Sequence, residues 1–316
     1  MTSALDAVVI ETPLANLILA GVGKAGTTSL FWYLSQHQAV CPSLVKETRF
    51  FLPLSEAEQS SEGLGNLSDY AAYFRRCGNA RYRMEATPHY FHGGKTLVEG
   101  IRNALPDVRI VLTLRDPVER LWSIFQFAKS MLILPREISI EDFVSEAEHV
   151  YYNGVAQTPE NRPYWTSITG SMYASFLPAW LDGLPLENLR VVLFDDLNAN
   201  PVSVTVELCR WLGLSPDVAG FDFSTQNRTV PVRWRSLQRV AIGLNSERLL
   251  RNRRVIKRPL RWMYHHVNAT RTENMPLDCQ SRLEELFRQS NLWVGEALTM
   301  MGYSSLPAWQ TDRSEV

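Results

Sequence analysis

Leu17 to His37 reads LILAGVGKAGTTSLFWYLSQH, and this stretch decides the fold. A short apolar run, Leu17 to Ala20, predicts a buried strand. It breaks into Gly21-Val22-Gly23-Lys24-Ala25-Gly26 and resumes as a helix opened by Thr27, Thr28 and Ser29. Glycines let backbone N–H groups close on an anion, and the helix start adds unsatisfied donors and the positive end of a dipole. A Walker A loop reads G-x-x-x-x-G-K-[ST]. Gly21 and Gly26 keep that glycine separation, but Thr27 stands where the lysine belongs, and Lys24 lies three residues earlier. A lysine on the crest of the loop suits a bridging oxygen of a shorter anion better than the β/γ-phosphates of a nucleoside triphosphate. The competing reading is an ordinary strand-to-helix turn with a solvated lysine.

The rest of the chain repeats this alternation. Strands are expected at Tyr82–Glu85, Val108–Leu114 and Leu189–Phe194, and a short extended piece at Ala39–Pro42. Helices are expected at Asp69–Arg76, Thr96–Leu105, Val118–Phe127, Ile140–His149, Tyr173–Leu181, Pro201–Leu212 and Leu277–Met300. Strand and helix in turn predict an α/β fold, a P-loop-like central parallel sheet with helices on both faces and a helical C-terminal extension. We expect one domain over 1–316, with a core of about 15–225 and a basic helical part of about 226–316. Val108–Leu114 runs straight into Arg115-Asp116-Pro117, a second strand-to-helix switch with a charge where open parallel sheets bind ligands. Lys46-Glu47-Thr48-Arg49-Phe50-Phe51 reads as a loop whose polar end faces a cleft while its phenylalanines anchor it. The irregular stretch from Leu132 to Pro163 is placed to cap that cleft.

With 32 Lys+Arg against 33 Asp+Glu, the net charge of −1 gives no global pull toward nucleic acid, so any basic site is local. Four scattered cysteines, Cys41, Cys77, Cys209 and Cys279, lack metal or redox spacing and are expected as reduced, partly buried thiols. The first residues carry no basic segment ahead of an apolar one, so neither a signal peptide nor a membrane anchor is expected, and the protein is expected to be cytoplasmic.

Taken in order, these motifs resemble the sulfotransferases that use 3′-phosphoadenosine-5′-phosphosulfate (PAPS), especially the heparan sulfate branch and its bacterial relatives. The resemblance runs from Leu17 to Leu214. GVGKAGTTSL is similar to the 5′-phosphosulfate loop, LRDPVERLWS to the 3′-phosphate motif, and KETRFF to the KE-x-x-FF element that carries a catalytic glutamate. TGSMYASFLPAWL, LRVVLFDDLNANP and ELCRWLGL resemble the second-half signature.

The resemblance implies sulfuryl transfer to a hydroxyl of a carbohydrate, glycolipid or small metabolite, with 3′,5′-adenosine bisphosphate as product and no metal. It implies Glu47 as general base and Lys24 on the leaving group. Lys24, Ala25, Gly26, Thr27, Thr28 and Ser29 would hold the 5′ end, and Arg115, Ser123 and Arg228 the 3′-phosphate, with Arg233 or Arg235 as alternatives to Arg228. Lys46, Glu85 and His89 are candidate acceptor contacts, and Glu85 and His89 are rivals for the base. Ala86 stands where heparan-branch relatives often carry lysine. The other function classes to weigh are a P-loop kinase or ATPase and a non-catalytic nucleotide-binding protein. The basic run Arg248 to Arg261, beside Trp262 and Tyr264, leaves open peripheral membrane contact; nucleic-acid binding is not expected, and oligomeric state is not legible.

Overall fold

A computed structural model describes residues 14–54, 64–226 and 275–310. Arg228, Arg233, Arg235 and the basic run Arg248 to Arg261 therefore lie outside the described residues. The chain divides into two compact units. The first takes described residues up to 115, then 174–226 and 299–307; the second takes 116–173, 275–298 and 308–310.

Five parallel strands build the first unit: β1 (Leu17–Gly21), β2 (Val40–Pro42), β3 (Tyr82–Ala86), β4 (Arg109–Leu114) and β5 (Leu189–Leu193). Their order is β2-β3-β1-β4-β5. All five residues of β1 are buried, as a strand covered on both faces requires. Alternation then sorts its side chains. Leu17 and Leu19 join Met84, Val111 and Val192 under α1 (Thr27–Leu34) and the later helix Pro201–Trp211. Ile18 and Ala20 point the other way and are equally sealed. The helices Gly94–Ala104 and Leu177–Gly183 pack together, and Trp180 donates its indole N–H to the Phe91 carbonyl at 3.0 Å. Each large apolar side chain withdrawn from water in this way contributes about 1.5–3 kcal/mol.

The edge strand β5 is covered from a distance in sequence. The Tyr303 hydroxyl donates to the Val191 carbonyl at 2.6 Å and accepts the Val191 N–H at 2.9 Å. One side chain thereby satisfies both backbone groups of an exposed ladder position.

The second unit is helical, with helices Pro117–Ser130, Ile140–Tyr152, Arg162–Ser167 and Leu277–Met300. Phe125, Phe143, Ile168, Leu283 and Phe287 form its core. Asp116 caps the first of these helices by accepting the Val118 N–H at 2.8 Å, and Ser139 and Asp142 form a capping box on the second. Arg120 is fully buried and donates to the Thr166 carbonyl at 2.8 Å and to the Ser171 hydroxyl. The helix at Arg162–Ser167 was not expected; Pro163 stands in its first turn, where proline is tolerated. Pro178 shows the same rule from the other side. The helix expected from Tyr173 begins only at Leu177, because a proline one residue further in removes the N–H a longer helix would need.

The cysteine expectation is corrected. Cys41 on β2 and Cys77 form a disulfide across a separation of 36 residues, with Cα atoms 5.4 Å apart; Cys209 and Cys279 remain free and buried. The fold brings the first pair into bonding range, which spacing along the chain cannot reveal. Burial pushes both free thiols up, away from the reactive thiolate. Thiol titration in denaturant should find two reactive groups without reductant and four after reduction. Breaking the bridge should cost about 2–4 kcal/mol in unfolding experiments.

Candidate active site

The loop after β1 is held by its neighbours. Thr113 on β4 donates its hydroxyl to the Gly21 carbonyl at 3.0 Å and accepts the Val22 N–H on its own carbonyl at 2.7 Å. Gly21 has φ +145°, and a Cβ there would meet the Pro88 carbonyl oxygen at 2.5 Å. Lys24, half-buried on the crest, takes a left-handed φ of 70°. Gly26 ends the loop at φ +80° as the N-cap of α1, and a Cβ there would lie 2.7 Å from Leu197 Cδ2. Strain and overlap act together, so Gly26→Ala is expected to lose about 1–3 kcal/mol of stability in chemical denaturation.

Beyond Gly26 the first-turn N–H groups of α1 have no acceptor within the helix. Thr27 and Ser29 are buried and Thr28 is half-buried. The Ser29 hydroxyl accepts the Gln226 N–H at 3.0 Å, so it also ties the segment at 221–226 to the helix start. Arg115 follows β4, the strand beside β1. Its guanidinium donates to the Lys24 carbonyl at 3.3 Å and stacks over Phe194 at 4.5 Å. A second cation is thus fixed against the loop, and its planar fork suits oxyanion recognition. Ser123 lies half-buried on the helix Pro117–Ser130 of the second unit.

A second loop hangs from the same end of the sheet. Thr87, just past β3, donates its N–H to the Leu19 carbonyl at 3.1 Å, which places the Glu85-to-His92 segment beside the end of β1. Glu47 and Arg49 both take left-handed φ, 66° and 59°. The Glu47 side chain is 39% exposed and pairs with Lys46 at 2.8 Å. Phe50 stacks on Tyr70 at 4.6 Å, and Phe51 packs edge-on to Tyr70 and Tyr90. The phenylalanines anchor the loop, as expected.

Glu85 differs from its expected role at the acceptor. It is fully buried, and its carboxylate accepts hydrogen bonds from four hydroxyls. Tyr70 donates at 2.6 Å, Thr87 at 3.0 Å and Tyr90 at 3.4 Å, and Thr48 supplies the fourth. Burial pushes the Glu85 pKa up, opposed by these hydrogen bonds. Tyr70 is pushed well above the usual phenol range, first by burial and then by the Glu85 charge. His89 sits half-buried on the tight turn Pro88–His92. Thr113, Phe194, Gln226 and the Glu85 hydroxyls are parts of the site that sequence reading missed; only Thr113, a polar residue inside an apolar strand, left a visible signal.

A central parallel strand feeds a lysine-bearing glycine loop into a helix start, and the arginine that follows the neighbouring strand lies on that loop, an arrangement of the kind α/β proteins use for phosphate-like anions. The chain belongs to the sulfotransferase domain family, whose model matches residues 14–228. It is 25% identical over 217 residues to a bifunctional heparan sulfate N-deacetylase/N-sulfotransferase of Drosophila melanogaster, an alignment covering 64% of this chain and 20% of that one. It is 25% identical over 197 residues to human heparan sulfate glucosamine 3-O-sulfotransferase 6, covering 62% of this chain and 52% of that one. The chain thus spans only part of the length of these curated relatives. A sulfotransferase structure from Alicyclobacillus acidocaldarius superposes with a TM-score of 0.67 at 21% identity, covering 95% of this chain and 100% of that chain, and shares the fold.

Proposed function

We propose that the protein transfers a sulfuryl group from PAPS to an acceptor hydroxyl. The observation that carries the proposal is the convergence, at one end of the sheet, of the Lys24 loop with Arg115 lying on it. The donor set fits a phosphosulfate: an ammonium, a guanidinium and helix-start N–H groups, focused locally in a chain of net charge −1. When bound, the donor supplies the sulfuryl group and departs as 3′,5′-adenosine bisphosphate.

Lys24 would stabilise the negative charge that develops on the leaving oxygen. The backbone N–H groups of Ala25 to Thr28 and the Thr27, Thr28 and Ser29 hydroxyls would hold the 5′ end. Arg115, Ser123 and Arg228 are assigned to the 3′-phosphate on their sequence motifs. Glu47 would take the acceptor proton on a carboxylate oxygen, with Lys46 orienting it from 2.8 Å. His89 is kept as a contact for the acceptor, a carbohydrate, glycolipid or small metabolite.

The test is transfer of radiolabelled sulfate from PAPS to a glucosamine oligosaccharide, its amine-blocked form and 4-nitrophenol. Label on the amine-blocked sugar or the phenol supports O-transfer. Label confined to the free amine would make this an N-sulfotransferase, and no label on any of them counts against transfer. Cytoplasmic residence, expected from the sequence, is tested by alkylating cells before lysis. The Cys41–Cys77 bridge speaks against that residence, because reducing compartments keep such pairs open; both thiols alkylated in the cells would support it, and a bridge already formed there would exclude it.

A further inference from the structure

We propose that Glu85 is the positioning residue for Glu47: a sealed carboxylate whose bond to Thr48 fixes the left-handed turn on which Glu47 is presented. This rests on the reading of Glu47 as the base. The connections run through four consecutive residues of one loop. The Thr48 hydroxyl donates to Glu85 Oε2 and itself receives the Phe50 N–H at 3.5 Å. The Arg49 N–H donates to the Thr87 hydroxyl at 3.3 Å, and the Phe51 N–H donates to the Tyr90 hydroxyl at 3.2 Å. Thr87 and Tyr90 both donate onward to Glu85. Three ties from the loop to β3 and its following turn, made by Thr48, Arg49 and Phe51, therefore end, directly or through one hydroxyl, on the same carboxylate.

That concentration explains two observations. Glu47 and Arg49 hold φ of 66° and 59°, a conformation that costs a non-glycine residue free energy and persists only where surrounding contacts over-determine it. The carboxylate is fully buried without a cation among its hydrogen-bond donors, a costly placement unless several hydroxyls satisfy it together. A glutamate that touched the acceptor would need exposure, and Glu85 has none. Its effect on the reaction passes through Thr48 to the adjacent Glu47.

Glu85→Ala strands four hydroxyls, three of them on buried residues, and threatens the fold itself, so the decisive variants are Thr48→Val and Glu85→Gln. Turnover is followed as radiolabelled sulfate transferred from PAPS to 4-nitrophenol or the glucosamine oligosaccharide, whichever is the better acceptor. Thr48→Val, nearly isosteric, should lower kcat by about 100-fold with KM for donor and acceptor unchanged, the size of effect that follows from misplacing a reacting group. Glu85→Gln, which replaces one accepting oxygen with a donor, should fall in the same direction. Thr48→Ser should restore kcat.

Glu47→Gln is measured in parallel. Loss in Glu47→Gln with full kcat in Thr48→Val and Glu85→Gln would overturn the positioning role alone. Full kcat in Glu47→Gln would overturn the base assignment and leave Glu85 nothing to position. A loss carried by KM, or one that Thr48→Ser shares, would also contradict the positioning role.

Discussion

Glu47→Gln is expected to lower kcat by about 10²–10⁴-fold, the range contributed by a positioned general base. Binding of 3′,5′-adenosine bisphosphate should be unchanged. The two readouts separate because Glu47 stands on the loop tied to β3, whereas the groups proposed to hold the bisphosphate stand on the loop after β1 and just past β4. The amide keeps the size of the side chain and can still accept from Lys46, so the fold loses little. It cannot take a proton from an acceptor hydroxyl. Steady-state kinetics on the best acceptor, alongside calorimetry with the bisphosphate, checks both halves. Retained turnover would move the base to another residue, with His89 next to be tried.

Lys24→Met should lower kcat by about 10²–10³-fold, comparable to losing one donor aimed at developing charge. Methionine keeps the apolar stem and removes the ammonium. Lys24 already occupies a left-handed φ of 70°, so the exchange adds little backbone strain. The loop itself is held by Gly21, Thr113 and Gly26, none of which is touched. Unlike Glu47→Gln, this variant should also weaken the bisphosphate, since the ammonium faces an anion in the ground state as well. A thermal melt unchanged from wild type, with turnover lost, is the expected combination.

These two residues were legible in the sequence for a physical reason. Lys24 sits between glycines at a strand-to-helix switch, and Glu47 in a short charged run before two phenylalanines; in both cases the local pattern marks the residue as a candidate. The strands β1 and β4 were equally legible, because a strand buried on both faces must be apolar throughout. Arg115 was found by the same logic, at the end of such a strand.

What escaped was set by proximity in space. Glu85 read as an acceptor contact because it ends a strand near a turn. Its burial depends on Thr48, 37 residues earlier, and on Tyr70, 15 earlier, converging on it. The Cys41–Cys77 bridge and the Tyr303 cover on β5 escaped for the same cause, at separations of 36 and 112 residues. Hydroxyls were the least visible class: Thr48, Thr87 and Thr113 look like ordinary polar loop or strand residues until their partners are known.

The Lys24 loop is proposed to hold the phosphosulfate end of PAPS and not a nucleoside triphosphate. Calorimetric titration with 3′,5′-adenosine bisphosphate and with ATP, each with and without magnesium, tests it most directly. Tight binding of the bisphosphate, independent of magnesium and lost in Arg115→Ala, is expected. Preference for ATP, with affinity that requires magnesium, would contradict it and make phosphoryl transfer the working description of this site.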